Sequence, residues 1–123
     1  MSDSSSMSNI ERAKRLEEKY KKEFPQGTPI IVACEKGNLV DLIVFIDRHI
    51  AVNTGVTVKQ LLEEIGKDSD GYQKNTLMAA ARWEEHAVLV ELLSWGVDPS
   101  ITDSIGQNAL HYSAYNNKKS TRC

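Results

Sequence analysis

Apolar positions recur at helical spacing from Asn9 onward. Ile10, Ala13, Leu16, Tyr20 and Phe24 fall three or four apart, so they share one face of a helix over residues 9–24. Glu11 and Arg15, Glu17 and Lys21, and Glu18 and Lys22 support that helix from its polar side as i,i+4 pairs. Residues 1–8 are polar and serine-rich, have little to bury, and are expected to be disordered. After Pro25 the pattern restarts. Thr28 is a suitable N-cap, Pro29 occupies the first helical position where a missing N–H costs nothing, and Gly37 marks the stop. A second helix, rich in Leu, Val, Ile and Phe, is predicted from Leu39 to about residue 47. The unit reads as helix–turn–helix.

A third pattern covers residues 57–66, where Thr57 precedes Leu61, Leu62 and Ile65 and Gly66 ends a short amphipathic helix. Beyond it the chain repeats itself. Asp70 recurs as Asp103, and Asn75, Thr76 and Leu77 recur as Asn108, Ala109 and Leu110, each 33 residues later. A period of that length marks repeat architectures, in which each unit must stack on its neighbours to bury its apolar face.

The residues that carry the repeat point to a family. The runs Thr28-Pro29-Ile30-Ile31-Val32-Ala33-Cys34, Asn75-Thr76-Leu77-Met78-Ala79-Ala80-Ala81 and Asn108-Ala109-Leu110-His111-Tyr112-Ser113-Ala114 resemble the start of the ankyrin repeat, T-P-L-H-x-A. Trp95-Gly96-Val97-Asp98 is similar to its G-A-D turn. The resemblance implies an all-α fold, an ankyrin-like solenoid of stacked helix-turn-helix repeats with an N-terminal capping helix. Its expected layout is a capping helix over 9–24, repeat one over 28–53, an insertion over 54–69, repeat two over 70–102 and a partial repeat three over 103–123. Within it, Ala33, Cys34, Ala80, Ala81, Ser113 and Ala114 allow first helices to approach closely. Leu39, Leu42, Ile43, Phe45, Ile46, Val88, Leu89, Leu92 and Leu93 are expected to fill the layer between first and second helices.

The departures carry expectations too. The first two repeats start 47 residues apart, 14 more than one period, and the excess is the insertion. Glu84 stands where the family keeps a glycine between helices, and Glu91 where an apolar residue is common, which predicts a second helix rotated or shifted in register. Repeat three reaches Cys123 before any second helix, so it is either part of a longer stack or a half-repeat acting as a cap.

A formal charge of −2 over 123 residues gives no pull toward nucleic acid or anionic membrane. The six basic residues of the first helix, Arg12, Lys14, Arg15, Lys19, Lys21 and Lys22, are interleaved with four glutamates and read as a solvated outer face, with a patch for an acidic partner as the alternative. The longest apolar run, residues 39–46, is broken by Asp41 and is far too short to span a bilayer. The N-terminus has neither the basic nor the apolar region of a secretory signal, and Cys34 and Cys123 do not suggest a structural disulfide, so an intracellular, cytoplasmic protein is expected.

His49 and His86 lack partners at metal-ligand spacing, and neither a phosphate-binding glycine loop nor a nucleophile elbow is present. His111, in the family, ties the turn of one repeat to the next. A non-enzymatic protein-interaction module without cofactor or metal is therefore expected, working as a monomer or as a weak dimer through the uncapped C-terminal repeat. The alternative is an N-terminal portion of a longer array that scaffolds or regulates an enzyme. The resemblance implies that a protein partner binds in one concave groove, lined by Tyr72, Lys74, Arg82 and Trp83 in repeat two and Ile105, Gln107, Tyr115 and Asn116 in repeat three, with Glu35 and Lys36 as repeat-one counterparts. Tyr, Trp and Arg dominate interface hot spots. Trp83 has a second reading, as a filler packed on the insertion helix.

Overall fold

A computed structural model describes residues 9–52, 55–103 and 105–112; the expected disordered tail, Ser113, Ala114, Tyr115, Asn116 and the end of repeat three lie outside them. The chain is mostly helical. In order it forms α1 (Asn9–Glu23), α2 (Pro29–Glu35), α3 (Leu39–Val52), α4 (Val58–Glu63), β1 (Gly66–Lys67), β2 (Gln73–Lys74), α5 (Thr76–Arg82) and α6 (His86–Ser94), and residues 109–112 are again helical. None of the described helices is long and apolar enough to cross a membrane.

Helix α1 uses the face that its spacing marks. Ala13 and Tyr20 are buried against Val32, Ala33, Val44 and Phe45, so α1 covers one side of the α2–α3 pair. The Tyr20 hydroxyl donates to Asp41 Oδ2 at 2.6 Å, and Arg48 of α3 meets Glu17 of α1 at 2.6 Å. Burial, reinforced by the neighbouring Asp41 carboxylate, pushes the Tyr20 phenol well above its ordinary range.

On the opposite side, α2 packs against α5, and Cys34, Leu42 and Ile46 share one core with Met78, Ala80, Val88 and Leu92. The fully buried Cys34 and Ala80 leave room for this close approach. Two residues expected in the core are not there: Ile43 and Leu93 are 38% and 51% exposed. The apolar arc of α3 and α6 is wider than the face their neighbours cover.

Both helix pairs turn in the same way. Gly37, at φ 71°, follows α2, and the Asn38 N–H donates to Ala33 O at 2.9 Å. Glu84, at φ 54°, follows α5, and the Glu85 N–H donates to Ala80 O at 3.0 Å. These are left-handed helix ends, for which glycine is the unstrained residue. The expected shift in register is absent: α6 begins 47 residues after α3, the same offset that separates the N-cap positions Thr28 and Asn75. A glutamate accepts the strained conformation, so the register survives. Glu91 is half-buried and accepts a hydrogen bond from Trp95 Nε1 at 2.9 Å, a polar role at a position where an apolar one is common.

The insertion is a structured element. Thr57 Oγ1 accepts from the Gln60 N–H at 3.1 Å while Gln60 Oε1 accepts from the Thr57 N–H at 3.0 Å, a reciprocal cap that starts α4. Leu62 then enters the core shared by α3 and α5. Strands β1 and β2 pair antiparallel, Gly66 opposite Lys74 and Lys67 opposite Gln73. Thr28 does not cap α2 with its side chain: its Oγ1 accepts from the Lys67 N–H at 3.0 Å, and its own N–H donates to Lys67 O at 2.9 Å. The insertion is thereby fastened to the start of the first helix pair.

Candidate functional site

Two tight turns organise the expected binding positions. In the first, Asp68 Oδ1 accepts from the N–H groups of Asp70 at 3.0 Å and Tyr72 at 2.9 Å, while the Asp68 N–H donates to Tyr72 O at 2.9 Å. In the second, Asp103 Oδ1 accepts from Ile105 at 3.0 Å and Gln107 at 2.9 Å, and the Asp103 N–H donates to Gln107 O at 2.8 Å. The counterpart of Asp103 is therefore Asp68, 35 residues earlier, and not Asp70. The helix caps Asn75 and Asn108, which accept from the N–H of Met78 and of His111, keep the 33-residue spacing. The first turn simply has two more residues before its cap.

That extra length creates a place for Lys74. Its Nζ lies 2.7 Å from Asp68 Oδ2 with both side chains nearly buried, and it sits 5.0 Å from the ring centroid of Tyr112 and 5.5 Å from that of Tyr72. The Tyr112 hydroxyl donates to Asp103 Oδ2 at 2.5 Å. One buried lysine thus joins the two turns. Burial raises the Asp103 carboxyl, but the Tyr112 hydroxyl and the Gln107 and Ile105 N–H groups outweigh it, and the group ends below the usual carboxylate range. Lys74, expected on the accessible binding surface, belongs to the scaffold beneath it.

Above that scaffold, Tyr72 and Ile105 are 67% and 75% exposed. Together with Gln107 they line a depression of about 390 Å³ whose floor includes Lys74, Asp103 and Tyr112. Tyr115 and Asn116 lie outside the described residues. Arg82 and Trp83 form a separate group: the guanidinium carbon is 4.3 Å from the indole centroid, and Trp83 lines another depression, of about 310 Å³, with Glu35, Lys36 and Glu85. The six expected positions among the described residues are therefore not one patch. Glu35 is committed to the fold, since its carboxylate accepts from the Ser69 N–H at 3.0 Å and the Ser69 hydroxyl at 2.9 Å.

His111 acts locally among the described contacts. Its Nδ1 accepts from the Asn108 N–H at 3.0 Å, closing the start of its own helix rather than reaching another repeat. A third concavity had no signature in the sequence. It is a cleft of about 290 Å³ where α4 stands off from α1, α2 and α3, walled by Ile31, Phe45, Leu61 and Ile65 and edged by Glu17, Arg48, His49 and Glu64. The helical pattern of residues 57–66 announced α4, but nothing in the pattern says against which elements a short helix docks. Among the described residues no group of three or more His, Cys, Asp or Glu side chains is placed to hold a metal ion.

Compared with known protein families and with curated proteins, the chain matches no family model and has no significant sequence match.

Proposed function

We propose that the chain is a non-enzymatic protein-interaction module, built as an ankyrin-like solenoid with α1 as its cap, that binds a protein partner over the two turn tips. Support for the solenoid comes from equivalent landmarks in successive units: the caps Thr28 and Asn75, the left-handed helix ends Gly37 and Glu84, and the matching turns at Asp68 and Asp103. The observation that carries the binding reading is the exposure of Tyr72 and Ile105 on turns held by the buried Asp68–Lys74 pair. Large exposed side chains on a preorganised support lose little entropy when a partner covers them. Arg82 and Trp83 form a second candidate contact beside it. An intracellular, cytoplasmic setting fits a buried free thiol at Cys34, which burial pushes far above the reactive range.

A second reading has its own observation. Leu110 is 71% exposed, whereas Leu77, 33 residues before it, is 2% exposed, and Val90 on α6 is 69% exposed. Exposed apolar side chains of this kind suit a further repeat or a second copy, as in a longer array that scaffolds an associated enzyme or in a weak dimer.

The test is retention of proteins from the source lysate on the intact chain, on a Tyr72→Ala/Ile105→Ala double variant and on Trp83→Ala, after all three are shown to melt alike. A protein held by the intact chain and lost from the double variant supports the turn tips; loss only from Trp83→Ala moves the site to the second depression. Equal retention by all three refutes both locations.

A further inference from the structure

We propose that the cleft between α4 and the first three helices binds a primary alkylammonium group, whether a free aliphatic amine or a lysine side chain. It shares no lining residue with either depression described above, and the inference does not rest on the protein-binding reading. At about 290 Å³ the cleft lies near the lower end of ligand-site volumes. A lysine side chain or a short amine is of a size with such a cleft.

The apolar wall selects the body of the ligand. Ile31 and Phe45 are buried at its base, Leu61 is half-buried, and Ile65 is 39% exposed at its edge, so an alkyl stem would cover hydrocarbon that water now touches. The polar edge selects its head. Glu17 and Arg48 neutralise each other at 2.6 Å, and the Arg48 hydrogen bond holds the Glu17 carboxyl below its ordinary value despite partial burial. His49 Nε2 lies 2.6 Å from Val56 O, which requires Nε2 to carry a proton and engages that nitrogen within the fold. Glu64 is exposed, and among the described residues its carboxylate has no hydrogen-bond or ion-pair partner. One uncompensated negative charge therefore stands beside an apolar slot. A primary ammonium offers three donors and a positive charge, whereas a carboxylate head would meet Glu64 as a like charge.

The experiment is titration of the full chain, followed by amide proton–nitrogen shifts, with n-butylammonium, pentanoate, 1-pentanol and Nα-acetyl-lysine methylamide. Saturable shifts at Ile31, Ile65 and Gly66 are expected with butylammonium and not with pentanoate, and Glu64→Gln should weaken that binding about threefold to tenfold, the range for loss of a partly solvated charge-assisted contact. Glu64 is exposed, so the variant should melt as the parent does. Binding of the lysine amide as tightly as butylammonium assigns the cleft to a peptide side chain; binding of the alkylammonium alone assigns it to a free amine. Equal affinity for pentanol and butylammonium, unchanged binding by Glu64→Gln, or shifts outside the cleft would overturn the proposal.

Discussion

The Lys74 ammonium and the Asp68 carboxylate meet at 2.7 Å inside the protein, beneath the two turn tips. Removing one member of such a buried pair leaves the charge of the other uncompensated, which costs about 3–5 kcal/mol. Lys74→Met is therefore expected to lower unfolding stability by about that amount in urea titration. The Lys74→Met/Asp68→Asn double variant keeps an acceptor for the turn N–H groups and leaves no buried charge, so it should recover a large part of the loss. A single substitution that costs less than about 1 kcal/mol would show that the pair is solvated in solution.

Glu84 should be a point of stored strain. A non-glycine residue in the left-handed region carries a penalty of about 1–2 kcal/mol, partly offset by the greater chain entropy that glycine loses on folding. Glu84→Gly is expected to raise stability by about 0.5–1 kcal/mol, while Gly37→Ala, which also brings a Cβ against the Glu85 carboxylate, should lower it. Thermal melts of the two variants in opposite directions would support the equivalence of the two helix ends.

Acid should release the second turn. The Asp103 carboxyl titrates below its ordinary value of 3.8, so the unfolded chain binds more protons between the two values. Its contribution is fully present above about pH 4 and is lost as the pH falls through the lower, folded value. Asp103→Asn should be less stable than the parent at neutral pH, and the difference should shrink as the pH falls below about 4. A difference constant down to strongly acidic pH would contradict this assignment.

Close approach at the insertion gives a further prediction. A Cβ at Gly66 would lie 2.6 Å from both Ile31 Cδ1 and Thr28 Oγ1. Gly66→Val is expected to destabilise by about 1–3 kcal/mol through overpacking and to weaken protection of the Lys67 amide, which donates to Thr28. Hydrogen exchange at that amide reads the second effect directly.

Much of the helical content was legible because it depends on local rules. Ala13 and Tyr20 lie on the face that their spacing marks, Pro29 opens α2, and Thr57 stands at the start of α4. What was hidden depends on partners distant in sequence. Strands β1 and β2 have two residues each and are held by backbone bonds, so no alternation of side chains announces them. The period hid the role of Asp68, because the hydrogen bonds that define its turn tolerate two extra residues before the cap. Lysine is ordinarily a surface residue, and only the joint placement of Asp68, Tyr72 and Tyr112 explains a buried one at position 74. The candidate site divided for a similar reason. The family resemblance implies accessible positions for Tyr72, Trp83 and Ile105, but spacing does not say whether they share one concavity or two.

The most direct measurement of the central claim is site-specific photo-cross-linking in the source lysate, with the reactive group carried in turn at position 105 on the turn tip, at 83 and at 50 on the back of α3. The account predicts a discrete adduct from position 105, competed by unlabelled intact chain and not by the Tyr72→Ala/Ile105→Ala variant. An adduct of equal yield from position 50, or none from 105 and 83, would contradict binding through the turn tips and the surface beside them.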